Sequence, residues 1–169
     1  MLRDYQIDIC SRVSEAFDKH RSVMVQMPTG TGKTVVLAEL VKQFLHTNTD
    51  CTVVIVAHRR ELIEQIKATI KRMGLNANNH SSIINNQNII VESIQTISRR
   101  IDALDFTPSL VVIDEAHHAL AKTYKMMWEA WPDAKFLGLT ATPCRLNGKG
   151  FTDLFDITIF QAKSTKSKG

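Results

Sequence analysis

The chain has 169 residues, a formal charge of +4 and a hydrophobic content of 44%, which suits one domain with a single substantial core. Its start lacks a secretory apolar stretch and no run approaches about 18 consecutive apolar residues, so nothing suggests a membrane protein. The three cysteines are isolated in the sequence, so we expect a reducing cytoplasm. Three lysines in the last seven residues account for three of the four net positive charges, so net charge is weak support for a polyanionic partner.

The first predicted elements surround a glycine-rich loop, MPTGTGKT. Helical spacing over Tyr5 to His20 predicts a helix, and the apolar run Val23 to Met27 predicts a short strand. After such a strand, glycines let the backbone amides point at phosphate oxygens, and a helix that begins near Lys33 aims its positive end at the same anion. Lys33 would reach the terminal phosphates and the Thr34 hydroxyl would ligate magnesium. The generic pattern has glycine at position 27, so the loop alone is an incomplete match.

The loop residues that we expect to contact phosphate are Thr29, Gly30, Thr31, Gly32, Lys33 and Thr34. Strands and helices alternate after the loop. Further strands are predicted at Thr52 to Ala57, Ile89 to Glu92, Leu110 to Asp114 and Phe136 to Leu139. Helices are predicted at Lys33 to about Leu45, Arg60 to Met73, Ile94 to Leu104 and Ala119 to Trp131. The asparagine-rich stretch from Leu75 to Asn88 is expected to be solvent-exposed, with at most a short strand at Ser82 to Ile84.

This alternation predicts an α/β fold with a mainly parallel sheet and helices on both faces, and ligands at the carboxyl ends of the strands. The string SLVVIDEAHH is an apolar run that ends in two acids. Asp114 would hold magnesium at the strand end, and Glu115 would orient the attacking water. Alone, the glycines could form an ordinary turn and the acids could cap a helix. Together they predict a nucleotide-hydrolysing site with Lys33, Asp114 and Glu115 as catalytic residues.

Six strings resemble, in identity and order, the first RecA-like domain of superfamily-two helicases and translocases of the DEAD/DEAH type. They are LRDYQ, MPTGTGKT, AHRRELIEQ, ESIQT, DEAH and LTATPCR. The likeness covers Leu2 to about Phe155 and is greatest to the branch of RadD-like helicases and type III restriction subunits, where the first loop glycine is commonly missing. It implies a RecA-like P-loop NTPase domain, ATP and Mg²⁺ as cofactors, and nucleic acid, with DNA favoured over RNA, as the partner.

The resemblance also implies roles for individual residues. Gln6 matches the glutamine that recognises adenine, since its amide can donate and accept together, and Arg3 matches an arginine that contacts the base. The alternative is that this segment only starts a surface helix. Arg60 and Thr96 match residues that contact a nucleic-acid backbone. Alternatively, Arg60 belongs to a solvated helix face with internal ion pairs.

A third group of matches concerns coupling between the site and the rest of the domain. His117 matches the histidine that links the nucleotide site to the TAT segment, where Thr140 and Thr142 can change hydrogen-bond partners with the phosphate state. His118 has no match, and a zinc site is rejected because no cysteine or acid spacing supports it. Arg145 fills a position that is also arginine in the RadD-like branch, without an assigned role.

We expect residues 1–160 to form the ATP-binding domain and residues 161–169 to be a tail or the start of an interdomain linker. In this superfamily, arginine fingers come from a second RecA-like domain, so we expect the chain to be the amino-terminal part of a longer helicase. The predicted function is the ATP-binding half of a DNA-stimulated helicase or translocase, weakly active alone. Two alternatives are a nucleotide-dependent switch or scaffold and a small P-loop kinase. The adjacent acids favour water, rather than a substrate hydroxyl, as the nucleophile.

Overall fold

The structure is a computed structural model that describes residues 2–28, 32–48, 50–75, 88–104, 106–114, 121–141 and 157–160. The strands are β1 (Ser22–Gln26), β2 (Thr52–Ala57), β3 (Asn88–Ser93), β4 (Leu110–Asp114), β5 (Lys135–Thr140) and β6 (Ile157–Phe160). The helices are α1 (Asp4–Phe17), α2 (Lys33–Thr47), α3 (Arg60–Arg72), α4 (Ile94–Arg100) and α5 (Ala121–Ala130). A 3₁₀ turn at Ile101–Ala103 follows α4.

The six strands form one sheet in the order β3-β2-β4-β5-β1-β6, and every neighbouring pair is parallel. The predicted α/β fold with a parallel sheet is confirmed. Strands β2 and β4 lie in the interior of the sheet, which explains their continuous runs of β-branched residues. The carboxyl ends of all the strands meet at one edge, where the sequence analysis expects the ligand.

Helices cover both faces of the sheet, as predicted. One layer of the core joins α1, α2 and α3 to alternate strand residues such as Val23 and Val25. The other layer joins α4 and α5 to the residues between them, such as Met24. Because successive strand side chains point to opposite faces, each strand contributes to both layers. None of the described helices has the length and apolar character needed to cross a lipid bilayer.

The ends of several elements differ from prediction by a few residues. Helix α1 spans Asp4–Phe17 rather than the predicted Tyr5 to His20, and its N-cap residue is Arg3, whose N–H donates to Gln6 Oε1 at 2.8 Å. Helix α4 stops at Arg100 instead of continuing to Leu104, because the chain tightens into the 3₁₀ turn. Helix α3 ends as predicted before Gly74, whose φ of +82° is accessible to glycine without a steric penalty. The stretch at residues 76–87, with the predicted strand at Ser82 to Ile84, lies outside the described residues.

Candidate functional site

The glycine-rich loop leaves the sheet at its carboxyl edge, between β1 and α2. The Met27 N–H donates to the Thr140 carbonyl oxygen at 2.9 Å, which extends the pairing of β1 with β5 by one residue. At the other end of the loop, Gly32 is the N-cap of α2 with φ +78° and ψ +39°. The first amide that donates within the helix is that of Val36, to the Gly32 carbonyl at 3.1 Å. The preceding amides therefore face the loop, as an anion site requires.

Lys33 and Asp114 form an ion pair at this edge. The distance from Lys33 Nζ to Asp114 Oδ1 is 3.0 Å, and the Asp114 side chain is only 1% exposed. The two residues are 81 positions apart in the sequence, and the folded sheet brings them together through β1, β5 and β4. A buried carboxylate needs a cation or several hydrogen bonds. The first turn of α2 and the end of β4 therefore form a single charged centre, as the sequence predicts.

Gln6 packs against this loop. The residue is 5% exposed, and its Nε2 lies 2.3 Å from the position that a Cβ on Gly32 would occupy. A side chain at position 32 would displace the Gln6 amide from this place. The structure thus places Gln6, the residue matched to adenine recognition, in contact with the glycine before Lys33. Arg3 lies exposed at the start of the same helix, on the outer side of Gln6.

A cavity of about 500 Å³ opens beside the ion pair. Its walls come from both ends of the loop, from Asp114 and from one face of α3. The α3 residues include Gln65, Thr69 and Arg72, and Arg72 donates to the Thr69 hydroxyl oxygen at 3.0 Å. None of these three residues was predicted from the sequence to belong to the site. Their spacing of four and three residues puts them on one helix face. This row of polar residues on α3 is the feature of the sequence that could have indicated their place in the site.

Two weakly acidic side chains, those of Tyr124 and Cys10, are buried in the core. Burial, and secondarily the negative charge of Asp114, raise the pKa of the Tyr124 hydroxyl well above its usual value of 10.0, so Tyr124 stays a hydrogen-bond donor close to that carboxylate. Burial, with a smaller contribution from Glu39, raises the pKa of the Cys10 thiol to about 11. Cys10 is therefore an inert core residue at neutral pH.

Arg60 and Thr96 also lie at the carboxyl edge, after β2 and β3 respectively. Arg60 is the exposed first residue of α3. No ion pair joins Arg60 to another residue that the structure describes, so the internal ion pairs considered for Arg60 are not formed there. Thr96 is held in place by two hydrogen bonds to Ser93. The two hydroxyls are 2.8 Å apart, and the Thr96 N–H donates to Ser93 Oγ at 3.1 Å.

The remaining predicted site residues have different outcomes. Gly32, Lys33, Thr34 and Asp114 lie together around the cavity. Thr140 ends β5, fully buried and opposite Gln26 of β1. The predicted site residues that lie outside the described part of the chain are Thr29, Gly30, Thr31, Glu115, His117 and Thr142.

A larger cavity lies at the opposite edge of the sheet and differs in character. It has a volume of about 1170 Å³ between the ends of α1 and α2, and it includes Leu110 and Lys135 at the starts of their strands. The Lys135 ammonium there donates to the Phe17 carbonyl oxygen. Among the residues that the structure describes, neither a glycine-rich loop nor a helix amino terminus lines this cavity, so the smaller cavity is the functional candidate.

Comparison with known families decides the affiliation. Residues 1–145 match the family described as "Type III restriction enzyme, res subunit". The chain belongs to this family. It is a superfamily-two helicase amino-terminal RecA-like domain, and the branch named by the sequence resemblance is confirmed.

Relatives with assigned names point in the same direction. The chain is 30% identical over 181 residues to the putative ATP-dependent helicase IRC3 of Saccharomyces cerevisiae, covering 95% of this chain and 26% of that protein. It is 29% identical over 153 residues to the DNA 3'-5' translocase XPB2 of Sulfurisphaera tokodaii, covering 88% and 32%. The chain thus spans a third or less of the length of these relatives.

The fold has close counterparts among solved structures. The chain superimposes on the Hef helicase domain of Pyrococcus furiosus with a TM-score of 0.73 at 20% identity, covering 97% of this chain and 39% of that one. At this identity the similarity shows the fold alone, and the fold is that of a superfamily-two RecA-like domain.

Proposed function

We propose that this domain is the ATP- and Mg²⁺-binding half of a DNA-stimulated helicase or translocase. In the proposed cycle, ATP hydrolysis drives movement along nucleic acid once a second RecA-like domain completes the site. The observation that carries the proposal is the 3.0 Å ion pair between Lys33 and Asp114, held at the amino end of α2 beside an open cavity.

The residues of the centre fit a nucleoside triphosphate with its divalent ion. Gly32 has no Cβ, so the Gln6 amide can pack against the loop, and the backbone amides at the amino end of α2 suit a phosphate. Lys33 would bind the terminal phosphates, and Thr34 with Asp114 would hold Mg²⁺, whose role is to neutralise charge on the transferring phosphoryl group. Asp114 fixes the Lys33 ammonium before ligand arrives, which reduces the rearrangement that binding requires.

The base and nucleic-acid contacts extend the proposal beyond the phosphates. Gln6 would recognise adenine, because its buried amide lies against the loop that would hold the phosphates. Arg60 and Thr96 would contact a DNA backbone, because an exposed arginine and a hydroxyl at neighbouring strand ends suit phosphate groups. The named activity of the XPB2 relative favours DNA. Glu115, His117 and Thr142 are proposed in their matched roles of water orientation and coupling.

Calorimetric titration of the 169-residue chain with Mg²⁺ and a non-hydrolysable ATP analogue tests this function. The chain should bind the analogue, and Lys33→Ala should weaken binding by about tenfold or more, since a charge-assisted contact to phosphate is lost. Lys42→Ala is the matched control, because Lys42 is an exposed lysine further along α2. Equal affinities of the wild-type chain and Lys33→Ala, with both proteins shown to be folded by circular dichroism, would remove the proposal.

A further inference from the structure

Gln26 lies at a junction between the glycine-rich loop and β5, and none of the roles above uses its side chain. It is the last residue of β1, and Met27, the first loop residue, follows it. In the parallel register, Gln26 is opposite Thr140, the last residue of β5. The Met27 N–H bond to the Thr140 carbonyl joins the loop to the same strand end. Movement of the loop would therefore act directly on this pair.

The side chains of Gln26 and Thr140 lie on the same face of the sheet. Val25 and Leu139 pack in the layer beneath α1, α2 and α3. Strand side chains alternate between faces, so the residue after each of these two points to the opposite layer, beside α4 and α5. Neighbouring strands lie about 4.8 Å apart, so the Gln26 amide is within reach of the Thr140 hydroxyl on the neighbouring strand.

The amide oxygen of Gln26 is an unusual feature of this junction. Gln26 Oε1 is buried and accepts no hydrogen bond from the residues that the structure describes. A buried carbonyl oxygen without a donor is destabilising, and few native groups remain so. A methionine would occupy a similar volume without this penalty. Because Oε1 lacks a donor among the described residues, a group that donates to it would stabilise the domain.

We propose that Gln26 is a positioning residue that couples the glycine-rich loop to β5, with Oε1 accepting the Thr140 hydroxyl proton in a hydrogen bond when the loop is loaded with a nucleoside triphosphate. This inference rests on the proposed function. Nucleotide binding to the loop would then give Gln26 Oε1 the hydrogen-bond donor that it lacks among the described residues of the nucleotide-free domain. The relief of that penalty favours the loaded conformation, so Gln26 contributes to nucleotide affinity without touching the nucleotide.

The variant Gln26→Met separates this role from a purely structural one. Without ligand, its melting temperature should rise by about 2–4 °C, since the unsatisfied oxygen is gone. Its affinity for the Mg²⁺-bound, non-hydrolysable ATP analogue should fall by about fivefold, since the loaded state loses its new hydrogen bond. Gln43→Met is the control, because Gln43 is a half-buried glutamine of α2 that bonds weakly to Glu39 at 3.4 Å. The control should leave the affinity unchanged.

The variant Thr140→Val tests the proposed donor, because valine has the shape of threonine without its hydroxyl. It should lower affinity to a similar extent, and the double variant with Gln26→Met should bind no more weakly than either single one. Additive losses, an unchanged affinity of Gln26→Met, or a lower melting temperature of that variant would each overturn the coupling role while the wild-type chain still binds. Absence of binding by the wild-type chain would instead overturn the proposed function and this inference together.

Discussion

At the scale of single residues, Gly32 carries two separate constraints. Its φ of +78° lies in the left-handed region, which side-chain-bearing residues adopt only at a cost. A Cβ at this position would also lie 2.3 Å from Gln6 Nε2. Gly74 carries the first constraint alone, since its φ is +82° and no atom of the described residues lies within 4 Å of the place that its Cβ would take. The two glycines are therefore a matched pair.

We expect Gly32→Ala to weaken binding of the ATP analogue strongly, while Gly74→Ala leaves it unchanged. Both variants should lose about 1 kcal/mol of stability from backbone strain, measured by urea unfolding. Only Gly32→Ala displaces the Gln6 amide and alters the loop. The added Gln6→Ala substitution removes the clash between the new Cβ and the Gln6 amide. The double variant Gly32→Ala with Gln6→Ala should therefore lose less stability through Gly32→Ala than the single variant does. Equal nucleotide affinities of the two glycine variants would contradict the assigned contact.

Other residues show what the sequence can and cannot predict about the site. The meeting of Lys33 with Asp114 was predictable, because a loop after one strand and an acid at the end of another share the carboxyl edge of a parallel sheet. The unsatisfied oxygen of Gln26 was not, because polarity at a strand end indicates neither burial nor a missing partner. The contact of Gln6 with Gly32 depends on how α1 crosses the loop, which no local pattern encodes.

At the scale of elements, the carboxyl end of α5 is secured by Arg21, which precedes β1. Its Nη2 donates to the carbonyl oxygens of Trp128 at 2.9 Å and Trp131 at 2.8 Å, and its Nε donates to Ala134 at 3.0 Å. The guanidinium also lies 3.6 Å from the centroid of the Trp128 ring. The last carbonyls of a helix lack partners within it. Arg21 donates to one of them, that of Trp128, and to two carbonyls that follow the helix, those of Trp131 and Ala134.

We expect Arg21→Lys to lower the free energy of unfolding by about 2 kcal/mol, because an ammonium keeps the charge but cannot reproduce the planar set of bonds. Arg12→Lys is the control, since the pair of Arg12 with Asp8 at 3.6 Å is solvent-exposed and the substitution should change stability by less than about 0.5 kcal/mol. Urea unfolding gives both values. Because Arg21 lies at the amino end of β1, nucleotide affinity should stay at the wild-type level; a loss of affinity with unchanged stability would contradict this account.

The long, strongly patterned elements were the predictable ones. Strands β2 and β4 have the predicted bounds, because continuous β-branched runs are typical of interior parallel strands. Strand β6, Ile157–Phe160, was not predicted, since four residues offer too little pattern to distinguish a strand from a loop. It pairs with β1 at the edge of the sheet. Such an edge strand is defined by its partner more than by its own sequence.

At the scale of the whole molecule, the strand order β3-β2-β4-β5-β1-β6 decides which strand ends lie next to each other. It sets β1 beside β5, and β2 beside β3. The first pairing brings the glycine-rich loop to Thr140, and the second brings the starts of α3 and α4 together. The sequence predicted the parallel sheet but not this order, because the pairing partners of strands are selected by non-local packing. One edge thus carries the nucleotide centre and, a few strands away, the proposed DNA contacts.

The last prediction concerns that DNA-facing part of the edge, in the protein extended through a second RecA-like domain. Arg60→Gln should weaken binding to single-stranded DNA and reduce the slope of log affinity against log salt by about one unit, since one phosphate contact is lost. Lys71→Gln removes the same charge from the exposed last turn of α3 and should leave the slope unchanged. Affinity for the ATP analogue should be the same in both variants. Identical salt slopes for the two would mean that Arg60 belongs to a solvated helix face rather than to a nucleic-acid interface.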